Sequence, residues 1–279
     1  MYRINFKYIL IIFFIVNKYA MSNSDLSLSL AQGYNSDFLS GERSTLDLSF
    51  LHNLKEQFNI SIFDVLINSK LAIGVRYDKS SKLDKSYIIP TDNEIFGETV
   101  IKYPVGWLLD PFVSANVRTQ VTETMMIANK KKIKTAKFWD PITTQQSLGL
   151  AYSLKDSLIK NDIRIGLSLM QIRADLYTAL TNDPKTFKIK EKYKSKTGID
   201  INNTLSYRFN NVATLNSKLS LFGGIDDLDI WLVRFENDLN MMIWDYFGVI
   251  IRMNFIYDHN QMKKLQIQQS IRIGFITKI

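Results

Sequence analysis

The sequence predicts an all-β fold, a transmembrane antiparallel up-and-down β-barrel of about twelve strands. Three observations predict it. Apolar and polar residues alternate with period two over stretches longer than soluble strands usually run, and the connections between these stretches alternate between short and long. After the N-terminus no apolar run approaches the ~20 residues that a spanning helix needs. The last strand displays the pattern: from Leu265 to Phe275 the odd positions are apolar apart from Gln269, while the even ones are Gln, Gln, Ser, Arg and Gly. Such a strand turns a wet face to a lumen and a greasy face to lipid.

Residues 1–22 read as a secretory signal, leaving 23–279 as the barrel. Arg3 and Lys7 form a basic start, Tyr8 to Val16 a short apolar core, and Ala20-Met21-Ser22 a small-x-small cleavage site. A weakly patterned strand covers Asp25 to Tyr34, and Thr45 to Phe50 alternate cleanly before a polar turn at His52 to Gln57. From Phe58 to Tyr77 a long strand sets Phe63, Val65, Ile67, Leu71, Ile73 and Val75 against Asp64, Asn68, Lys70, Gly74 and Arg76. A polar loop at Asp78 to Asn93 precedes strands at Glu94 to Tyr103 and Pro111 to Val121, joined by a turn at Pro104-Val105-Gly106. The longest loop, Thr122 to Ile142, is rich in Lys.

Strands around Leu148 to Leu154 and Ile163 to Leu169 follow, and near Gln171 the apolar phase slips by one residue, as a β-bulge would cause. A second Lys-rich loop spans Thr181 to Lys196. Four more alternating stretches run through Ile199 to Phe209, Leu215 to Leu221, Trp231 to Met241 and Val249 to Tyr257 before the terminal strand. Connections near residues 55, 105, 158, 210 and 244 are all short, which assigns them to the periplasm and the longer loops to the cell exterior. Aromatic residues gather near strand ends on both sides, as interfacial girdles require.

Composition excludes several function classes. With no Cys there is no disulfide framework, thiolate metal site or thiol nucleophile. The two histidines, His52 and His259, are far apart and lack a matched Ser, so no catalytic residue and no metal site is expected, and the chain reads as a non-enzyme without cofactors. A net charge of +8 invites a nucleic-acid reading, but no basic helical stripe or aromatic-basic motif accompanies it. Anionic lipid head groups account for the charge as well.

The run from Thr214 to Phe222, through Trp231 and Phe235 to Leu239-Asn240-Met241, then Ile256-Tyr257-Asp258 and Ile273-Gly274-Phe275, resembles an uncharacterised outer-membrane β-barrel family of Gram-negative bacteria, the domain of unknown function 3078. The resemblance implies a barrel in the outer membrane and no assigned activity. Such barrels usually end in an aromatic residue that the insertion machinery recognises, whereas here Ile276-Thr277-Lys278-Ile279 follow Phe275, and Phe38 stands where the family pattern would have Trp.

Function is to be sought on the inward face. Arg76, Arg118, Arg164, Arg208, Arg234, Arg252 and Arg272 share inward parity on seven strands, with Glu236 and Asp238 among the acids beside them. An Arg-biased wall lowers the cost of bringing an anion into a narrow passage, so a pore or channel for small polar, anionic solutes is one reading. Mutual pairing of these charges in a barrel too narrow for a wide channel is the other. The basic loops, Lys130, Lys131, Lys132 and Lys134 in one and Lys188 and Lys190 in the next, suit lipopolysaccharide phosphates. They also allow a non-transporting surface or envelope protein whose barrel only anchors its loops. A soluble, exported β-sandwich would instead bury its apolar faces in a core.

Overall fold

The computed structural model describes residues 24–35, 43–80, 85–128, 131–176, 178–182, 190–258 and 262–278. The expected signal segment, Phe38, Lys130, Lys188 and His259 lie outside them. Twelve strands close into one antiparallel barrel: β1 (Ser24–Asn35), β2 (Arg43–Ile60), β3 (Phe63–Ser80), β4 (Lys85–Lys102), β5 (Asp110–Thr119), β8 (Ile142–Lys155), β9 (Ile159–Arg173), β10 (Tyr193–Arg208), β11 (Ala213–Gly224), β12 (Asp227–Trp244), β13 (Phe247–Asp258) and β14 (Met262–Lys278). Between β5 and β8, β6 (Thr124–Ala128) and β7 (Lys131–Ala136) form a separate hairpin. Each barrel strand pairs with the next along the chain, and β14 returns to β1.

The wall is inside out relative to a soluble domain. Leu30, Val113, Leu148, Ile165, Ile267 and Ile271 stand exposed on its outer face, while Ser29, Ser49, Glu98, Ser147, Arg164 and Arg272 are buried within. That arrangement suits lipid outside and polar chemistry inside, and it excludes a sandwich with a buried apolar core. At the short-turn end Trp107, Phe209, Trp244, Tyr246 and Phe275 are exposed and form a dense aromatic belt. At the opposite end Tyr77 and Tyr193 are exposed, whereas Trp139, Trp231 and Tyr257 are half-buried, so this belt is thinner.

Four sequence expectations are corrected. The polar stretch His52 to Gln57 lies inside β2, and the chain turns instead at Ser61 and Ile62, with Ser61 at φ 57. His52 takes the outward phase of Leu48 and Phe50, paired across the wall with Leu26 and Leu71. Second, β3 and β4 extend through most of the expected loop at Asp78 to Asn93. Backbone pairing continues there although the side chains turn polar, and a register shift between Ile73 and Val75 absorbs the mismatch. Third, the Thr122 to Ile142 loop contains the β6–β7 hairpin. Fourth, no bulge forms near Gln171, because β9 keeps unbroken register with β8 and β10 through Arg173. The apparent slip has another cause: Met170 and Ile172 occupy inward positions against Leu180, where the interior itself becomes apolar.

Two strand backbones approach closely at a cross-strand glycine pair, Gly149 on β8 opposite Gly166 on β9. A Cβ at Gly149 would lie 2.1 Å from the Ile165 carbonyl oxygen, and one at Gly166 2.3 Å from that of Leu148, so the backbones can bend here only without side chains. Gly149→Val is therefore expected to abolish the heat-modifiable, fast-migrating folded band in unboiled gels, whereas Gly97→Ala, whose Cβ would meet only the Val117 side chain at 3.6 Å, retains it.

Candidate functional site: the lumen

The inward faces of the strands meet as three layers of ion pairs. Nearest the long connections, the Asp92 carboxylate accepts from Arg272 Nη2 at 2.8 Å and from Ser49 Oγ at 2.9 Å, and lies 3.5 Å from Arg252. Arg252 also grips Asp238 through Nε at 2.7 Å and Nη2 at 3.1 Å. A fork of the same kind joins Arg76 to Asp47 at 2.7 and 2.6 Å between β3 and β2.

In the middle, Glu94 accepts from Lys70 at 2.8 Å, pairs closely with Arg118, and has Arg234 at 3.8 Å. Glu236 sits among the same three cations, 3.7 Å from Lys70, 3.7 Å from Arg234 and 4.0 Å from Arg118. Nearer the short turns, Glu98 accepts from Arg164 at 2.8 Å, from Asn68 at 3.0 Å and from Lys218 at 3.4 Å. Arg164 Nε also lies 3.1 Å from Asp162, which pairs closely with Lys102 and accepts from Ser153 at 2.9 Å. Phe96 wedges between the layers, its ring 4.8 Å from the Arg118 guanidinium and 4.3 Å from the Lys218 ammonium.

Charge counts differ between layers. In the middle layer three cations face two carboxylates, whereas in the turn-side layer Arg164, Lys218 and Lys102 face Glu98, Asp162 and Asp200, the last buried beside Arg164. The layer of Arg252 and Arg272 with Asp92 and Asp238 is balanced. Among the described residues the centre of the lumen therefore carries surplus positive charge.

Three larger cavities occupy the lumen. One of about 470 Å³ opens toward the short turns and is lined by Asp64, Lys102, Asp162 and Arg208. Another of about 210 Å³ runs beside it from Asn211 and Val212 in the β10–β11 turn to Lys70 and Arg118, and a third of about 390 Å³ lies toward the long connections. Asn68, Thr204 and Asn216 line both the first and second cavities, while Lys70, Arg118, Lys218 and Glu236 line both the second and third. The interior is thus divided into cavities, which meet at polar amides and a hydroxyl on the turn side and at charged groups further in.

Of the nine lumen residues expected from sequence, the structure brings Arg118, Arg164, Arg234, Glu236, Asp238, Arg252 and Arg272 into the three layers. Arg76 stands apart with Asp47, and Arg208 lines the turn-side cavity. Sequence reasoning missed Lys70 as a central residue, together with Asp92, Glu94 and Asp162. Glu94 was legible, since it shares the parity of Glu98; Asp92 fell in the stretch read as a loop, and Asp162 stood just before the strand read from Ile163.

The long connection carrying the β6–β7 hairpin is tied to the barrel mouth. Asn93 Oδ1 accepts from the backbone of Val121 and Thr122 at 2.8 and 2.7 Å, and its amide donates to the Thr122 carbonyl at 2.9 Å. Asp140 in turn accepts from the backbone of Asp175 and Leu176 at 2.8 and 3.1 Å, linking this connection to the next. Lys131 and Lys132 lie on β7 with Lys134, which is exposed and pairs with Glu123; Lys190 is exposed in the connection before β10.

No family model matches the chain, and no curated protein is similar to it in sequence. Among solved structures, the chain is similar to the translocator domain of the autotransporter NalP from Neisseria meningitidis, with 10% identity and a TM-score of 0.42 over 92% of this chain and 88% of that one. It is also similar to an outer-membrane channel from Pseudomonas putida F1, with 8% identity and a TM-score of 0.39 over 91% of this chain and 94% of that one.

Arg164 is the most deeply buried cation, its side chain 2% exposed and held by Glu98 and Asp162. Removing a partner from a buried pair leaves an uncompensated charge at a cost of about 3–5 kcal/mol. Glu98→Gln is expected to destabilise the refolded barrel on that scale in denaturant titrations. Arg76→Gln, at a half-exposed pair, should cost less than about 1 kcal/mol.

Proposed function

We propose that the protein is an outer-membrane barrel that passes small polar solutes along its lumen and favours anions among them. The observation that carries this reading is the junction between two lumen cavities at Lys70, Arg118, Lys218 and Glu236, beside a middle layer with three cations for two carboxylates. Surplus positive charge in a low-dielectric passage lowers the entry cost of a small anion and raises that of a cation. Paired carboxylates hold the cations in place and keep the passage narrow, so the solutes are small.

The exposed apolar wall supports membrane insertion, and the short turns support an orientation with that end in the periplasm. On this reading residues 1–22 are the export signal, the barrel-insertion machinery is the assembly partner, and the basic hairpin faces lipopolysaccharide. The chain acts without a catalytic residue or cofactor. Membership of the domain of unknown function 3078 is part of the same proposal. A non-transporting surface protein is the second reading, favoured by the depth at which Arg164 and Glu98 are buried across the lumen.

Planar-bilayer recording tests the choice. The wild-type barrel should give a small, steady conductance with anion preference. Glu94→Gln with Glu236→Gln should raise the anion-to-cation permeability ratio several-fold, and Arg118→Gln with Arg234→Gln should lower it. Silence from heat-modifiable, folded protein would favour the surface-protein reading.

A further inference from the structure

The 390 Å³ cavity toward the long connections, within the size range of small-molecule sites, joins two chemistries along one strand. On β12 the successive inward residues Glu236, Arg234 and Leu232 all line it. Arg234 and Leu232 are two residues apart, about 7 Å at ~3.4 Å per residue, so the cationic middle layer gives way to an apolar strip within one inward step. Met170 and Ile172 on β9 belong to the same strip. Leu180 completes it from the short 3₁₀ turn Thr178–Leu180 of the β9–β10 connection. That turn is pinned in place. Thr181, 1% exposed, donates through Oγ1 to the Glu191 carbonyl at 2.5 Å, and the Asn182 amide donates to the Thr178 carbonyl at 2.8 Å.

Charge at the inner end of the strip is unbalanced. Lys70, Arg118 and Arg234 share only Glu94 and Glu236. The other cations on the cavity wall belong to balanced sets, Arg252 with Asp92 and Asp238, and Lys218 with Glu98 in the turn-side layer. Asp258 lies at the far end of the strip, opposite Leu232 in the β12–β13 ladder, where Lys194 and Lys196 line a smaller cavity with it, so it does not offset the surplus at Arg234. Within the middle layer Arg234 is the least engaged cation. Its ion pairs to Glu94 and Glu236 measure 3.8 and 3.7 Å, whereas Lys70 reaches Glu94 at 2.8 Å and Arg118 also pairs closely with it. Its side chain, 26% exposed, is also the most accessible of the three.

We infer that this cavity binds a monocarboxylate with a compact apolar body, its carboxylate on the Arg234 guanidinium and its body along Leu232, Met170, Ile172 and Leu180. One negative charge matches a layer of three cations and two carboxylates, and a dianion exceeds it. The strip favours an apolar body by releasing water from both surfaces, which a bare inorganic ion cannot do. Glu94 and Glu236 are already held by the layer's own cations, so an ammonium finds no carboxylate to meet it. The inference deepens the pore reading and rests on it for the ligand's being a transported solute; occupancy of the site is measurable with or without transport.

Isothermal titration calorimetry of the refolded barrel in nonionic detergent, with protein-free micelles as the blank, tests it with cyclohexanecarboxylate as the probe. Saturable binding is expected, about tenfold or more tighter than that of acetate, which shares the head, and of cyclohexylammonium, which shares the body. Arg234→Gln should weaken it about tenfold. Leu180→Asn, in a connection outside the barrel ladder and so harmless to closure, should weaken it about threefold. Absence of saturable binding to heat-modifiable barrel would overturn the inference. So would equal affinity for acetate or cyclohexylammonium, or binding that neither substitution changes. Planar-bilayer conductance of the same preparation judges the other claim: binding by a silent barrel sinks only the pore reading, and anion-selective conductance without binding sinks only this site.

Discussion

Everything in this molecule depends on closing a hydrogen-bonded ladder around a narrow lumen. In lipid a backbone amide finds no water, so each wall strand must be satisfied by its two neighbours. That requirement fixes the alternation of the sequence. Outward positions are released to lipid and become Leu, Ile and Val; inward positions are pressed together and can carry charge only if each charge meets its opposite.

The inward charges accordingly form shared layers. Glu94 and Glu236 each serve Lys70, Arg118 and Arg234, and Glu98 serves both Arg164 and Lys218. Sharing suits a narrow barrel, because a carboxylate has more acceptor sites than one cation can fill. In the middle layer it also leaves two carboxylates for three cations, a local surplus of positive charge. Phe96 contributes a ring face to two of those cations where a further acid would have balanced the count.

Strand number, topology and the inward parity of the arginines could be read from the sequence because period-two alternation is a direct imprint of a two-faced wall. What escaped reading escaped for physical reasons. His52 to Gln57 looks like a turn by composition, yet backbone pairing with β3 is indifferent to polar side chains and carries the strand on to Ile60. Around Met170 and Ile172 the interior is itself apolar, so the alternation that marks a wall inverted and imitated a bulge. Asp92 and Asp162 were hidden beside strand ends, and which carboxylate meets which cation depends on juxtapositions across the lumen, between strands that are not neighbours in sequence.

The long-connection end departs most from a plain barrel. There the interior acquires an apolar side, and a tethered hairpin stands at the mouth. The short-turn end is fully laddered and ringed by aromatics. The central claim is that the lumen cavities form one polar passage, limited where Lys70, Arg118, Lys218 and Glu236 line it. Osmotic swelling of proteoliposomes in uncharged solutes of graded size tests it most directly. The account predicts rapid swelling with the smallest polyols and a sharp cut-off before disaccharides. Folded barrel that admits none of them would contradict it.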